Sequence, residues 1–148
     1  MLDLTPSLLA ELAELNLLRN ADGSPRSDEL EARFNRDFAV DRHLAVYGSL
    51  APGRSNHAQL SELSGTWSSD CYVTGDLLDQ GWGAGLGFPA LRWSASATQV
   101  PVQLFESDEL PQHWTRLDTF EGADYWRMVV PVLAGNRVIA LANLYATR

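Results

Sequence analysis

A glycine turn directly after an apolar segment is the first place in the sequence that could bind a charged ligand. Leu44-Ala45-Val46-Tyr47 has the composition of a short buried strand, and Gly48-Ser49-Leu50 follows it. A strand that ends in glycine and runs towards a helix leaves backbone N–H groups unpaired, and these form a concave site for an anion or a carbonyl oxygen. An ordinary turn explains the same residues, because glycines at strand ends are common.

A glutamate at a predicted helix end is the second candidate for chemistry. Leu117 and Phe120 mark the apolar face of this helix, and Glu121 stands directly before Gly122, which should end it. A carboxylate there faces the partial negative charge of the helix C-terminus, a local conflict that is typical of functional sites. If Glu121 enters an apolar pocket, desolvation raises its pKa and suits it to general acid/base catalysis. An exposed glutamate at a helix end is the alternative.

The segment from Gly81 to Trp93 is the third candidate, because it combines glycines with aromatic residues. Trp82, Phe88 and Trp93 could form the wall of a pocket, and four glycines between positions 81 and 87 would let a substrate approach the backbone. A hairpin loop with aromatic residues in the core explains the segment equally well. A phosphate-binding loop is excluded, because the required lysine and Ser/Thr are missing.

Other common catalytic arrangements find little support. His43, His57 and His113 do not have metal-ligand spacing, so we expect no metal site. Ser49 has no His/Asp partners in a recognisable order, and the single Cys71 lies in a strand-like segment, where a partly buried structural cysteine is expected. All 11 basic residues are arginine, which excludes a catalytic lysine and a P-loop lysine.

Length and charge limit the class of protein. The 148 residues suffice for one ordinary domain with a short appendage. The formal charge of −8 and the scattered arginines argue against a nucleic-acid partner. The apolar runs are too short to span a membrane, and the N-terminus lacks the order of residues of a signal peptide, so we expect a cytoplasmic location and no membrane partner.

The elements that must position these residues fall into two parts. In residues 1–43, Thr5 can cap a helix that begins at Pro6 and ends near 20–23, and Asp28 with Glu31 resembles the capping box of a second helix. We expect these two amphipathic helices to pack on the main domain or on a second subunit, so a homodimer is possible. Their apolar stripes are Leu8, Leu12 and Leu15, then Leu30, Phe34 and Phe38.

Residues 44–148 read as about six strands with two short helices between them. Closely spaced strands with few helical connections favour a mainly antiparallel sheet or a small barrel. The last two strands should form a hairpin around Ala134-Gly135-Asn136. The predicted strands are 44–47, a strand pair within 67–78, 88–93, 99–105, 125–133 and 137–145, and the predicted helices are 54–63 and one capped by Ser107 or Asp108 that runs through Leu117.

These motifs, in this order, resemble the γ-glutamylcyclotransferase-like proteins of the AIG2-like branch. The resemblance covers about residues 44 to 146. Its most specific signature is Leu117-Asp118-x-x-Glu121-Gly122-x-x-Tyr125-x-Arg127. The other matching pieces are Tyr47-Gly48-Ser49-Leu50 with Gly53 and Asn56-His57, then Gly75-Asp76-Leu77, then Phe88-Pro89-Ala90-Leu91.

The resemblance implies a fold, an activity and a set of site residues. The fold is α+β, a small mixed, mainly antiparallel β-barrel with flanking helices, to which this chain adds an N-terminal helical extension. The activity is a cofactor-independent γ-glutamyl cyclotransferase, in which the α-amine of a γ-glutamyl amide attacks its own γ-carbonyl to release 5-oxoproline. Glu121 corresponds to the catalytic acid/base. Tyr47, Gly48, Ser49, Leu50 and Tyr125 correspond to substrate-binding positions.

Two other functions remain open from the sequence. A non-catalytic module on the same scaffold would bind a small acid without converting it. An interaction protein would act mainly through the two N-terminal helices. The expected partner of the cyclotransferase is a small γ-glutamyl substrate, whose leaving amine the sequence does not specify.

Overall fold

The computed structural model describes residues 2–20, 25–48, 50–54, 56–78, 90–95 and 98–147, and for Ala90 the backbone alone. At the start of the first helix, α1 (Pro6–Arg19), Thr5 Oγ1 accepts a hydrogen bond from the Leu8 N–H at 3.1 Å, and Pro6 is the first helical residue, as predicted. The α-helices of the described ranges are α1 (Pro6–Arg19), α2 (Pro25–Phe38) and α3 (Trp114–Glu121).

Six strands lie in the described ranges. The last two form the predicted hairpin, and Gly135 in its turn has a φ of 61°, a left-handed conformation that glycine adopts without strain. The strands are β1 (His43–Val46), β2 (Thr66–Leu78), β3 (Ala90–Trp93), β4 (Gln99–Glu106), β5 (Tyr125–Ala134) and β6 (Arg137–Thr147).

The strands close into a small barrel. Their order is β3-β2-β4-β1-β6-β5, and a further pairing of β2 with β5, where Tyr72 lies opposite Leu133, joins β2, β4, β1, β6 and β5 into a ring. Strands β1 and β6 are parallel, and the other described pairs are antiparallel. Strand β3 pairs with the last residues of β2, outside the ring. The predicted fold class, α+β with a mixed, mainly antiparallel barrel, is confirmed.

Alternation along β1 separates an inner core from an outer one. Ala45 faces the inside of the barrel, and Tyr47, just after the strand, packs against the same inner core. Leu44 and Val46 face outwards, where they pack with Leu117 of α3. Helix α3 is therefore held on the barrel wall next to β1, and its C-terminal end comes close to the end of the barrel where Tyr47 lies.

The N-terminal helices pack on the barrel. Leu12 and Leu15 of α1 and Phe34 of α2 share a core with Val129 of β5 and Leu141 of β6. Packing on the main domain, one of the two predicted arrangements, is therefore what the structure shows. The homodimer and the division of the chain into residues 1–43 and 44–148 stay predictions. No helix in the described ranges combines the length and apolar character needed to cross a bilayer.

One polar contact also joins α1 to the barrel. The Asn16 side-chain amide donates to the Val129 carbonyl at 2.8 Å and accepts from the Val129 N–H at 2.8 Å. Asn16 is buried in α1, and it satisfies both backbone groups of a residue in β5. A side-chain amide therefore takes the place that a neighbouring strand would occupy at this point of β5.

The start of the second helix differs from the prediction. The prediction of a capping box at Asp28 and Glu31 is wrong, because α2 begins one turn earlier, at Pro25. Proline is well tolerated at the first helical position, where its missing N–H would be unpaired in any case. Glu31 therefore lies inside the helix, where it binds Arg19 of α1.

The helix predicted after β4 is interrupted. Ser107 accepts a hydrogen bond from the Glu109 N–H, but the turn that follows is a 3₁₀ turn, Leu110–Gln112. Helix α3 begins only at Trp114. Neither Ser107 nor Asp108 therefore caps a helix, since the residues before the 3₁₀ turn and before α3 are Glu109 and His113, and α3 is a separate element of eight residues.

Two further elements between β1 and β3 were predicted in the wrong form. The expected strand pair in 67–78 is one long strand, β2, with a bulge between Ser68 and Cys71 where Asp70 has a φ of 61°. The expected helix in 54–63 is reduced to a 3₁₀ turn at His57–Gln59. The first helix ends at Arg19 with Asn20, the first residue of the predicted stop at 20–23, as its C-cap, and residues 21–23 lie outside the described residues. The predicted glycine-rich loop of 81–87 also lies outside them.

Candidate active site

Glu121 is the last residue of α3 and is buried. Its exposed fraction is 9%, which is low for a glutamate at a helix end. Gly122 follows with φ 83° and ψ −174°, a combination that is essentially restricted to glycine, and its N–H binds the Asp118 carbonyl at 3.1 Å. The glycine therefore ends the helix and turns the chain towards β5 immediately after the carboxylate.

The surroundings of Glu121 hold its proton unusually tightly. Burial raises the pKa of the carboxyl to about 7, and the charge of Asp118 adds to the effect. Asp118 lies three residues earlier on the same face of α3, so two carboxylates meet at one helix end. A carboxyl with a pKa near neutrality can both accept and return a proton under ordinary conditions.

Tyr47 lies directly after β1 and its hydroxyl is occupied by the protein. It donates to the Tyr145 carbonyl at 2.6 Å and accepts from the Leu91 N–H at 3.0 Å. Burial raises the pKa of the Tyr47 phenol, and the charge of Glu121 contributes in the same direction. Tyr47 therefore connects β1, β3 and β6, and it lies within electrostatic range of Glu121. Because its hydroxyl is already hydrogen-bonded, the predicted contact with substrate would use its ring and backbone.

The glycine turn after Tyr47 is present, and Gly48 is not explained by local structure. A methyl group at Gly48 would meet no described atom within 4 Å, and its φ lies outside the left-handed range. Neither packing against described atoms nor a left-handed φ therefore requires glycine here, and the role of Gly48 in substrate binding stays a prediction. Leu50 is buried in the outer core, and its carbonyl accepts from His57 Nδ1 at 2.9 Å. Ser49 lies outside the described residues.

Tyr125 at the start of β5 is close enough to Glu121 for their charges to interact. Tyr125 is 7% exposed, and burial, followed by the charge of Glu121, raises the pKa of its phenol. The structure thus brings Tyr47, Glu121 and Tyr125 into one electrostatic neighbourhood at one end of the barrel. Their roles as catalytic and substrate-binding residues stay predictions.

Asp118 is held by two residues that the sequence analysis did not assign to the site. The Tyr145 hydroxyl donates to Asp118 Oδ1 at 2.7 Å, and Arg127 Nε donates to the same oxygen at 2.9 Å. The Arg127 guanidinium also lies 4.5 Å from the centre of the Trp114 ring, a cation–π contact. The carboxylate next to Glu121 is therefore fixed in place by the strands below α3.

The same network continues into the N-terminal extension. Arg127 Nη1 and Arg19 Nη1 both donate to Asn143 Oδ1, at 2.9 and 2.7 Å. Arg19 Nη1 also donates to the Arg127 carbonyl at 3.2 Å. At its other end, the Arg19 guanidinium forms a two-point ion pair with Glu31 at 2.7 and 2.8 Å. Polar contacts therefore run without a gap from α2 to the helix that carries Glu121.

One of the missed residues had a signal in the sequence. Asn143 is fully buried in the middle of the apolar run of β6, and a polar residue in such a run must be hydrogen-bonded. Its amide donates to the carbonyls of Val40 and, at 3.4 Å, His43. Arg19 had no comparable signal, because it looks like any basic residue in the last turn of a helix.

Two cavities adjoin the predicted site residues. One of about 560 Å³ has Tyr47 and Ala51 in its wall. Another of about 280 Å³ lies between the extension and the barrel, with Gly122 and Tyr125 in its wall. Glu121 is not among the described residues that line these two cavities. A single cavity bounded by Glu121 and residues 47–50 stays a prediction, and Trp82 and Phe88 lie outside the described residues.

The remaining reactive side chains have structural surroundings. Cys71 is buried in β2, burial raises the pKa of its thiol, and its Sγ contacts the Val102 carbonyl at 3.4 Å. A thiol in that setting is a poor nucleophile. Among the described residues, no group of three His, Cys, Asp or Glu side chains is placed to bind a metal ion.

Comparison with known proteins supports the family resemblance and the fold. The family model described as gamma-glutamyl cyclotransferase, AIG2-like, matches residues 44–148, so the resemblance seen in the sequence is confirmed. That range contains the glycine turn, Glu121 and Tyr125, and it leaves out helices α1 and α2. No curated protein matches the chain.

Solved structures share the fold. YkqA from Bacillus subtilis is 25% identical with a TM-score of 0.54, and the match covers 72% of this chain and 36% of YkqA. An AIG2-like protein from Mus musculus is 24% identical with a TM-score of 0.50, covering 72% of this chain and 76% of that one. The protein c4763 of uropathogenic E. coli is 21% identical with a TM-score of 0.52, covering 70% and 78%.

The chain spans about a third of the length of YkqA. The family model covers well over half of the present sequence, and the solved neighbours share the fold. The chain therefore belongs to the gamma-glutamyl cyclotransferase, AIG2-like family.

Proposed function

We propose that the protein is a γ-glutamyl cyclotransferase, which cleaves a γ-glutamyl amide into 5-oxoproline and a free amine or amino acid. The observation that carries the proposal is the buried carboxyl of Glu121, whose pKa burial raises to about 7, within electrostatic range of Tyr47 and Tyr125. Family membership supports this class of reaction, and the identity of the amide belongs to the proposal.

The reaction needs no nucleophile from the protein. The substrate's own α-amine attacks its γ-carbonyl carbon, the amide C–N bond breaks, and a five-membered lactam forms. The protein must hold the glutamyl group in a folded conformation, and such positioning can lower the barrier by about 7–11 kcal/mol in favourable systems. The glycine turn at residues 47–50 is the proposed holder of the substrate carboxylate or of the developing oxyanion.

Glu121 moves the proton in this scheme. Its deprotonated carboxylate takes a proton from the substrate ammonium, which makes the amine a nucleophile. That proton then passes to the leaving nitrogen when the amide bond breaks, and the second proton that the attacking nitrogen must lose follows through Glu121, so the amine leaves as an ammonium ion. General acid/base catalysis of this kind typically contributes about 10²–10⁴-fold in rate. A carboxyl with a pKa near 7 serves both steps, because neither of its protonation states is strongly disfavoured at neutral pH.

A panel of γ-glutamyl compounds with 5-oxoproline release as the readout tests the proposal. We expect the wild type to release 5-oxoproline from at least one compound and Glu121→Gln to lose at least about 100-fold in kcat. Glu62→Gln is the matched control, because Glu62 is exposed and lies outside the site. Full activity in Glu121→Gln would refute the assigned role. Binding of 5-oxoproline without turnover of any compound would favour a non-catalytic binding module.

A further inference from the structure

Trp93 in β3 carries a hydrogen-bond donor that has no acceptor. Its indole Nε1 atom is buried, and no hydrogen-bond partner lies within reach of it. Among the side chains of the described ranges, it is the one buried nitrogen or oxygen atom in this condition. A buried donor without an acceptor lowers the stability of the fold, so its presence calls for a reason other than packing. Binding of a ligand oxygen is such a reason.

Strand β3 holds Trp93 at the end of the barrel where Tyr47 lies. The N–H of Leu91, two residues earlier on the same face of β3, donates to the Tyr47 hydroxyl at 3.0 Å. Trp93 and Tyr47 both pack against the inner core. Gly75 of β2 lies opposite Trp93, and a methyl group there would come within 2.6 Å of the Arg92 carbonyl. The missing side chain therefore lets β3 lie close against β2, which fixes the position of the indole.

The proposed acid/base belongs to the same neighbourhood. Tyr47 lies within electrostatic range of Glu121 and of Tyr125. The Tyr47 hydroxyl itself is already occupied, because it donates to the Tyr145 carbonyl at 2.6 Å. Trp93 therefore offers an open donor beside a tyrosine whose own hydroxyl proton is used by the protein.

The chemistry of this donor limits what it can bind. The indole N–H is neutral and can only donate, and its ring packs on the apolar inner core. A full carboxylate in that position would give up its hydration for a single neutral hydrogen bond, which is unfavourable. The oxygen of an amide or lactam carbonyl loses much less hydration and is satisfied by one donor. In the proposed reaction, that oxygen is the γ-carbonyl oxygen, which becomes the lactam oxygen of 5-oxoproline.

We infer that the indole N–H of Trp93 binds the γ-carbonyl oxygen of the substrate. The inference rests on the proposed cyclotransferase activity and adds a substrate-binding residue to it. When the α-amine attacks, an electron pair of the C=O bond moves onto this oxygen, and it returns when the amide C–N bond breaks. The hydrogen bond is strongest while the oxygen carries that charge, so it lowers the barrier more than it improves substrate binding. The glycine turn at residues 47–50 then remains for the substrate carboxylate.

Two replacements separate the donor from the ring. Trp93→Phe removes the N–H and keeps an aromatic ring, and benzothienylalanine at position 93 keeps the shape of tryptophan with a sulfur in place of the N–H. We expect both to lower kcat for a γ-glutamyl amide at least about tenfold and to change KM little. Trp67→Phe is the control, because Trp67 stacks on Phe105 at 4.5 Å in the outer core, and it should keep the wild-type kcat. A benzothienylalanine variant with the wild-type kcat would overturn the contact and leave the cyclotransferase in place.

NMR of the indole N–H groups tests the contact without turnover. The chain has five tryptophans, and the Trp93 signal is the one that is absent in Trp93→Phe. Added 5-oxoproline should move this signal downfield, as a new hydrogen bond does, and should leave the Trp67 signal in place. A Trp93 signal that stays unmoved at every concentration overturns the inference.

The two measurements distinguish failure of the contact from failure of the proposed function. A wild type that releases 5-oxoproline, with an unmoved Trp93 signal, keeps the function and loses the contact. A wild type that converts no γ-glutamyl compound overturns the proposed function, whereas a downfield shift in the same protein still supports a carbonyl-binding site at Trp93.

Discussion

Asp118 and Glu121 lie three residues apart on one face of α3, and the charge of Asp118 adds to the high pKa of Glu121. Two carboxylates in this arrangement oppose each other's ionisation. Arg127 and Tyr145 hold Asp118 in place, so its charge stays near the proposed acid/base. The pH dependence of the reaction should therefore depend on Asp118, although Asp118 itself transfers no proton in the scheme.

The first prediction concerns this pair. In the wild type, kcat/KM should rise with pH through about 7, because Glu121 acts first as a base and must be deprotonated. Asp118→Asn keeps an oxygen for Arg127 and Tyr145 but removes the charge, so the rise should move to lower pH by roughly half a unit to one unit. Asp124→Asn is the control, because the charge of Asp124 affects Tyr125 and not Glu121. Identical profiles for Asp118→Asn and wild type would contradict the prediction.

The second prediction concerns stability and the same carboxyl. Between pH 4.5 and about 7 the folded protein holds the Glu121 proton more tightly than the unfolded chain does, so Glu121 makes the fold less stable as the pH rises through this range. The loss is on the order of 3 kcal/mol above pH 7. Glu121→Gln should therefore be more stable than wild type at pH 8 and nearly equal to it at pH 5, as measured by urea unfolding. A stability difference that does not change with pH would be evidence against a buried, protonatable Glu121.

Two glycines of the site should respond differently to alanine. Gly122 has backbone angles that only glycine adopts readily, so Gly122→Ala should lower the free energy of unfolding by about 1–3 kcal/mol. Gly48 has open space in front of it and no left-handed φ, so Gly48→Ala should leave stability nearly unchanged. If the substrate approaches this backbone, Gly48→Ala should raise KM about tenfold or more. A stable Gly48→Ala variant with unchanged KM would show that the glycine turn is not part of the binding site.

The fourth prediction concerns the junction between the extension and the barrel. Arg19 is only 10% exposed in its side chain and binds Glu31, Asn143 and the Arg127 backbone, so Arg19→Ala should lower the free energy of unfolding by about 2–3 kcal/mol. Arg26→Ala breaks an ion pair whose side chains are both more than 40% exposed, and it should leave the free energy of unfolding nearly unchanged. Equal effects in urea unfolding would show that the buried network contributes no more than the surface pair.

The sequence was most informative where the local conformation is determined by residues that are close together in the chain. The α1 cap at Thr5, the β5–β6 hairpin and the α3 stop at Gly122 follow from nearest neighbours, and these predictions were confirmed. Strand β2 was misread as a pair because it contains a glycine, but Gly75 lies within the continuous strand and the irregularity is a bulge at Asp70. A bulge depends on the partner strand, which local sequence does not reveal.

The candidate site was predictable in part for the same reason. Glu121 was found because its position before a stopping glycine conflicts with the helix dipole, a contradiction visible within a few residues. Arg19 was missed because its partners lie at positions such as 31 and 143, and only the folded chain brings these together. Asn143 stood out as a polar residue in an apolar run, but its partners could not be named from the run itself.

The contact between Asn16 and Val129 also affects solubility. An exposed strand edge offers unpaired N–H and C=O groups to any other chain, and a second copy of the molecule can add to it as an extra strand. By occupying both groups of Val129, the Asn16 amide blocks that addition at the middle of β5. A shortened protein without α1 would expose this edge together with the apolar side chains of Val129 and Leu141. Its first failure should accordingly be self-association through β5, visible as concentration-dependent oligomers before any loss of the barrel.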